Sequence, residues 1–176
     1  MPGVDHVDPE LIARTVDHGA IERLQRAYAD AINRRAWDDL QDLFLPEASV
    51  DLDLVTSPAR HFDGPVELSD FISSALARFT FFEFVILNAH VDLWPHGDRD
   101  LATARVYMCE LRQTAGEQER NDAFGLYQDT YVRVGGHWKI GRRHYRSMAR
   151  FPAGEVLGLP ELQPWTAMKV NSPPQA

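Results

Sequence analysis

Lysine is nearly missing from this chain. Of its 18 basic residues only Lys139 and Lys169 are lysines, and the densest basic stretch is GRRHYR at 141–146. A nucleic-acid surface needs a concentrated positive footprint, and a net charge of −8 argues against one. Cysteine is scarcer still: Cys109 stands alone, so no disulfide can close within the chain. The longest apolar runs, such as FTFFEFVIL at 79–87, are broken by Glu83 and fall short of the roughly 18 residues a membrane span requires. The N-terminal stretch lacks the basic start and apolar core of a signal peptide, so the expected compartment is the cytoplasm. No glycine-rich loop fits a phosphate, and the seven histidines show no metal-ligand spacing, so neither a metal nor another cofactor is expected.

What is present describes a packed protein. Apolar residues make up 44% and charged residues 25% of the 176 positions, which excludes disorder of the whole chain. The length suits one domain, read as residues 19–148, with an N-terminal arm at 1–18 and a C-terminal tail at 149–176. Asp8 followed by Pro9 reads as an N-cap and first helical position, opening a short helix that Gly19 ends. A longer helix carries Ile21, Leu24, Tyr28 and Ile32 on one face; after a break near Arg35, Trp37, Leu40 and Phe44 continue the pattern. Residues 49–55 alternate as a half-buried strand, and 63–79 carry Leu68, Phe71, Ile72 and Ala75 at helical spacing. From Phe81 onward four long strands follow one another through turns near 95–100, 114–121 and 135–136. Helices gathered before a run of strands imply an α+β fold. The tail keeps Val156, Leu157, Leu159, Leu162 and Trp165 and is expected to pack as far as about Met168 before fraying.

Three stretches, YADAINRRAWDDLQDLF (28–44), LNAHVDL (87–93) and GLYQDTYVRVGGHWKIGRR (125–143), resemble in that order the SnoaL-like family of the nuclear transport factor 2-like superfamily. The resemblance implies a cone-shaped, curved antiparallel sheet with three N-terminal helices enclosing a mostly apolar pocket, a cystatin-like α+β roll. It implies a small apolar organic ligand of steroid, terpenoid, polyketide or aromatic type. It also implies isomerase, cyclase or lyase chemistry without a cofactor. Two other functions share the fold: a non-catalytic binding or assembly module, and the small subunit of a ring-hydroxylating dioxygenase. Subunits of this superfamily commonly pair through the outer sheet face, so a homodimer is expected, with Tyr107, Leu111, Val132 and Trp138 as a candidate patch.

Dehydratase-type members pair an aspartate on the first long helix with a histidine on the first long strand. The matching positions here are Asn33 and, four residues before Asn88, Phe84, so both halves of that dyad are missing. An amide is no carboxylate counter-ion and a phenyl ring carries no proton. His90 then becomes the candidate base on that strand, or a hydrogen-bonded structural histidine. Asp129 and Glu110 are carboxylates inside strand patterns, where each needs a partner or a cavity; Arg143 is the natural partner for either. The functional reading is a polar floor of Asp129, Tyr127 and Arg143, and the structural one is a buried ion pair. Tyr28 could donate to a ligand oxygen or serve as a core tyrosine. Asp129, His90 and Tyr28 are therefore the candidate catalytic residues. Asn33, Phe84, Asn88, Met108, Glu110, Tyr127, Arg143 and Tyr145 are the candidate pocket residues. The resemblance places Tyr127 and Arg143 toward the pocket, and alternation along the last strand then puts Trp138 and Ile140 on the opposite face.

Overall fold

The structure, a computed structural model, describes residues 8–55 and 57–151 and the backbone of 155–156. Helix α1, Pro9–Arg34, starts where the Asp8 carboxylate accepts the Glu10 N–H at 2.9 Å. It stops where Arg35 turns into the left-handed region and returns its N–H to the Ala31 and Ile32 carbonyls. Its buried residues, Asp17, Ile21, Leu24, Gln25, Tyr28, Ala31 and Ile32, recur every three or four positions and form one face. The break expected at 17–19 does not occur. A mid-helix glycine costs about 1 kcal/mol, but Asp17 is fixed from outside the helix: it accepts Trp94 Nε1 at 3.0 Å, Trp138 Nε1 at 3.2 Å and Arg133 at 2.7 Å. Three tertiary hydrogen bonds to one side chain outweigh the local preference.

Short α2, Trp37–Gln41, follows the Arg35 turn. Strand β1, Phe44–Asp53, then pairs antiparallel with β2, Arg60–Asp63, a strand too short to leave a pattern in the sequence. Helix α3, Pro65–Leu76, leads into the four long strands β3 (Phe79–Leu93), β4 (Leu101–Thr114), β5 (Asp122–Val134) and β6 (His137–Phe151). These four form the expected antiparallel meander. Strand β1 joins β6 in parallel, giving the order β2-β1-β6-β5-β4-β3, and a two-residue β7, Glu155–Val156, pairs with β6. The sheet is curved and unclosed, with the helices against its inner face. Apart from residues 149–151, which end β6, and the backbone of β7, the expected packing of the tail falls outside the described residues.

Several β-bulges shift the register of the ladders, and two of them decide how the candidate residues on β3 and β6 face. Between β5 and β6, Thr130 pairs with Arg142 but Tyr131 with Ile140, so Gly141 is an extra residue. An extra residue reverses the alternation. Trp138 and Ile140 therefore share the inner face with Arg143 and Tyr145, and both belong to the buried core, 7% and 0% exposed. This corrects the face assigned by alternation and removes Trp138 from the outward patch. Between β3 and β4, Ile86 pairs with Met108 and Asn88 with Tyr107, leaving Leu87 extra. Phe84 and Ile86 thus face inward, whereas Asn88 and His90 face outward beside Tyr107 and Arg105.

Candidate active site

The inner face of β5 and β6 carries a buried ion pair. Asp129 and Arg143 stand opposite each other in register, and Arg143 donates Nε to Oδ1 at 2.8 Å and Nη2 to Oδ2 at 2.7 Å. Tyr131 donates its hydroxyl to Asp129 at 2.7 Å and accepts from Gln25 of α1 at 3.1 Å. The guanidinium lies 4.1 Å from the ring centres of both Tyr28 and Tyr127. Burial alone would lower the Arg143 pKa, but the Asp129 carboxylate outweighs it and holds the group charged. Asp129 is wholly buried and does not line the cavity.

Past this pair, toward the open end of the sheet, lies a cavity of about 370 Å³. Leu52 of β1, Leu54 just after that strand, Phe71, Ile72 and Leu76 of α3, and Phe79 form its apolar wall; Tyr127, Tyr145 and Glu110 line it together with Arg60, Arg78, Arg112 and Arg150 and two serines, Ser57 and Ser74. Gly125 makes room for the floor: a Cβ there would lie 2.1 Å from the Tyr145 ring, so only glycine lets that ring cross the strand. Burial pushes the Tyr127 hydroxyl well above 10.0 and the Tyr145 hydroxyl up to about 12. Burial also raises Tyr28. All three therefore stay protonated near neutral pH and can donate.

Glu110 is the one acidic residue in the described lining. Its carboxylate lies 3.3 Å from Arg112 Nη1, and a quarter of its side chain remains open. Arg112 is itself fixed, donating at 2.6 Å to both the carbonyl and the side-chain oxygen of Asn121. Burial raises the Glu110 carboxyl above 4.5, while Arg112, Arg150 and Arg78 pull it the other way. A carboxylate in a cavity with its proton held more tightly than usual, beside two neutral hydroxyls, can exchange a proton with a bound molecule.

The helix and strand positions that the resemblance pairs are neighbours in space, but they are joined through the main chain. Asn33 Oδ1 accepts the Phe84 N–H at 2.6 Å, and its Nδ2 donates to the Phe84 carbonyl at 3.0 Å. The Phe84 ring packs against Tyr28 at 5.6 Å and Tyr127 at 6.1 Å. Met108 is wholly buried in the core. Asn88 and His90 are exposed on the outer face, so the Leu87 bulge places neither near the cavity. Of the candidate residues, the structure brings Glu110, Tyr127 and Tyr145 together in the cavity and sets Tyr28, Asp129 and Arg143 beneath it. Sequence reasoning missed Arg60, Arg78, Arg112 and Arg150. Only Arg112 left a signal, since two residues from Glu110 it falls on the same strand face.

A curved, unclosed sheet with helices against its inner face is the architecture of the SnoaL-like family. The chain belongs to this family: a SnoaL-like domain matches residues 13–144. An uncharacterized protein of Mycobacterium tuberculosis is 29% identical over 134 residues, covering 75% of this chain and 86% of that protein. Among solved structures, one assigned as a scytalone dehydratase from Novosphingobium aromaticivorans superposes with a TM-score of 0.71 at 19% identity, covering 87% of this chain and 99% of the other. Hexachlorocyclohexane dehydrochlorinase LinA-type3 from Novosphingobium barchaimii superposes at 0.69 with 16% identity, covering 85% and 99%. A protein with a cystatin-like fold from Caulobacter vibrioides does so at 0.61 with 18% identity, covering 75% and 89%. At these identities the likeness is one of fold. No helix among the described residues is long and apolar enough to cross a membrane.

Proposed function

We propose that this protein is a cofactor-independent isomerase or lyase that moves a proton on a small, largely apolar organic molecule bound in the open-end cavity, with Glu110 as the proton acceptor. The observation that carries this reading is the placement of Glu110: a half-buried carboxylate on the cavity wall, steadied from one side by Arg112, with the Tyr127 and Tyr145 hydroxyls lining the same space. A carbonyl oxygen on the ligand would accept from a tyrosine, and Glu110 would take the proton from the carbon beside it. Return of that proton to another carbon is an isomerisation, and loss of a neighbouring leaving group is an elimination. The scytalone dehydratase and dehydrochlorinase names of the structural neighbours are in keeping with this chemistry. Glu110 stands directly opposite Phe84 in the β3–β4 register, so it would act from the strand next to the missing dyad position. A second reading, a ligand-binding module without turnover, is favoured by one feature, the Asn33 clamp and Phe84 ring filling the dyad positions.

Proton exchange separates the two readings without a known substrate. Cyclic ketones and enones of steroid, terpenoid and aromatic type are incubated with the protein in D2O, and deuterium uptake is followed by mass spectrometry. Enzyme-dependent uptake is expected for at least one class, falling about 100-fold or more in Glu110→Gln and unchanged in His90→Ala. Ligand binding without uptake in any class would leave the binding module.

A further inference from the structure

In this acidic chain most of the described arginines are matched to carboxylates: Arg34 to Asp30 and Asp39, Arg133 to Asp17 and Asp100, Arg142 to Asp51, Arg146 to Asp53. At the cavity only Arg112 is so matched. Arg60, Arg78 and Arg150 all line it, and no carboxylate among the described residues lies within ion-pair distance of any of them. Arg60 lies over the Phe71 ring at 5.0 Å and Arg78 over the Phe79 ring at 4.8 Å. Arg150 meets the Ser147 hydroxyl at 3.3 Å. Their fields overlap, since Arg78 and Arg150 both act against the charge of Arg112. Four guanidinium groups thus border one cavity holding a single carboxylate, Glu110, which is already engaged with Arg112. Like charges gathered this way repel one another unless an anion joins them. A guanidinium resting on an aromatic face is partly pre-ordered, so less freedom is lost when it grips an oxyanion.

We propose that the cavity's ligand is an organic carboxylate, its apolar body against Leu52, Phe71, Ile72 and Phe79 and its carboxylate held at the mouth by Arg60, Arg78 and Arg150. The guanidinium fork matches a carboxylate's two oxygens. A volume of about 370 Å³ suits a ligand of one or two rings. Anchoring the acid at the mouth directs the opposite end of the molecule inward, so the reacting carbon meets Glu110, Tyr127 and Tyr145 at a distance from the anchoring group. This deepens the proposed function and rests on its cavity being a ligand site.

The test compares arylacetates and arylbutanoates with their neutral carboxamides, naphthalene-1-acetate against naphthalene-1-acetamide being the lead pair, by calorimetry on the full chain. The acids are expected to bind about tenfold or more tighter than the amides, an advantage that shrinks as salt is raised. Arg78→Gln and Arg150→Gln should each weaken the acids several-fold and leave amide binding unchanged, with circular dichroism confirming an unaltered fold. Amides binding as tightly as acids, with the variants indifferent, would overturn the carboxylate proposal while leaving the cavity a ligand site. Binding of neither series would overturn both.

Discussion

Two carboxylate–arginine pairs share the inner face of this sheet, and their surroundings set them apart. Asp129 and Arg143 meet through two hydrogen bonds of 2.8 and 2.7 Å, with Tyr131 completing the carboxylate and both side chains sealed from solvent. Glu110 and Arg112 meet through one contact of 3.3 Å at the wall of a cavity, leaving the carboxylate with oxygen surface to spare. The first pair has its acceptors occupied and is built to hold β5 against β6. The second keeps an acceptor available, and in that environment a proton can come and go. Carboxylate and guanidinium are common to both pairs; what differs is how many donors surround the carboxylate and whether an empty volume adjoins it.

Breaking each pair should expose that contrast. Arg143→Ala leaves a buried, uncompensated Asp129, and a loss of about 3–5 kcal/mol of stability is expected from urea unfolding. Arg112→Ala should cost less, about 1–3 kcal/mol, because Glu110 can still reach the cavity. The same change removes the main group opposing the raised Glu110 pKa, so the pH–rate profile should move upward, which Arg143→Ala would not selectively do. Asn33→Ala strips two hydrogen bonds from the Phe84 main chain, with an expected cost of about 1–2 kcal/mol in the same unfolding assay.

The smallest effect sharpens the comparison most. Below the ordinary carboxyl value of 4.5, Glu110 is protonated in both the folded and unfolded chain and contributes no pH dependence. As pH rises past 4.5 the unfolded chain ionises first while the folded chain keeps its proton, so stability falls with rising pH until the folded form ionises as well. Glu110→Gln removes this loss. The variant should match the native protein in acid and become the more stable of the two above that range, as measured by urea unfolding across a pH series. A variant no more stable than the native protein at neutral pH would mean that burial does not strain Glu110.

Much of the fold was legible from periodicity. The apolar face of α1, the break at Arg35, helix α3 and the four-strand meander all follow spacings visible in the chain. The family was legible too, in the ordered stretches between Tyr28 and Arg143. Reading failed where one residue was inserted into a ladder: Gly141, a glycine inside a strand, was not taken as a bulge and nothing near Leu87 marks one, yet each reverses the facing of the residues next to it. It failed again at Asp17, whose partners Trp94, Arg133 and Trp138 come from distant parts of the chain.

The sequence by itself determined the class of elements, their order and the family, because helical and strand periodicities are local properties of side-chain spacing. It also singled out Asn33 and Phe84, which the structure joins through two hydrogen bonds to the Phe84 main chain. Only the tertiary structure decided that Asp129 is sealed against Arg143 while Glu110 faces open volume, and that Arg60, Arg78, Arg112 and Arg150 border the same cavity. Those residues come from strands β2, β4 and β6 and the turn before β3. The curvature of the sheet, set by long-range pairing and bulges, is what carries them to one place.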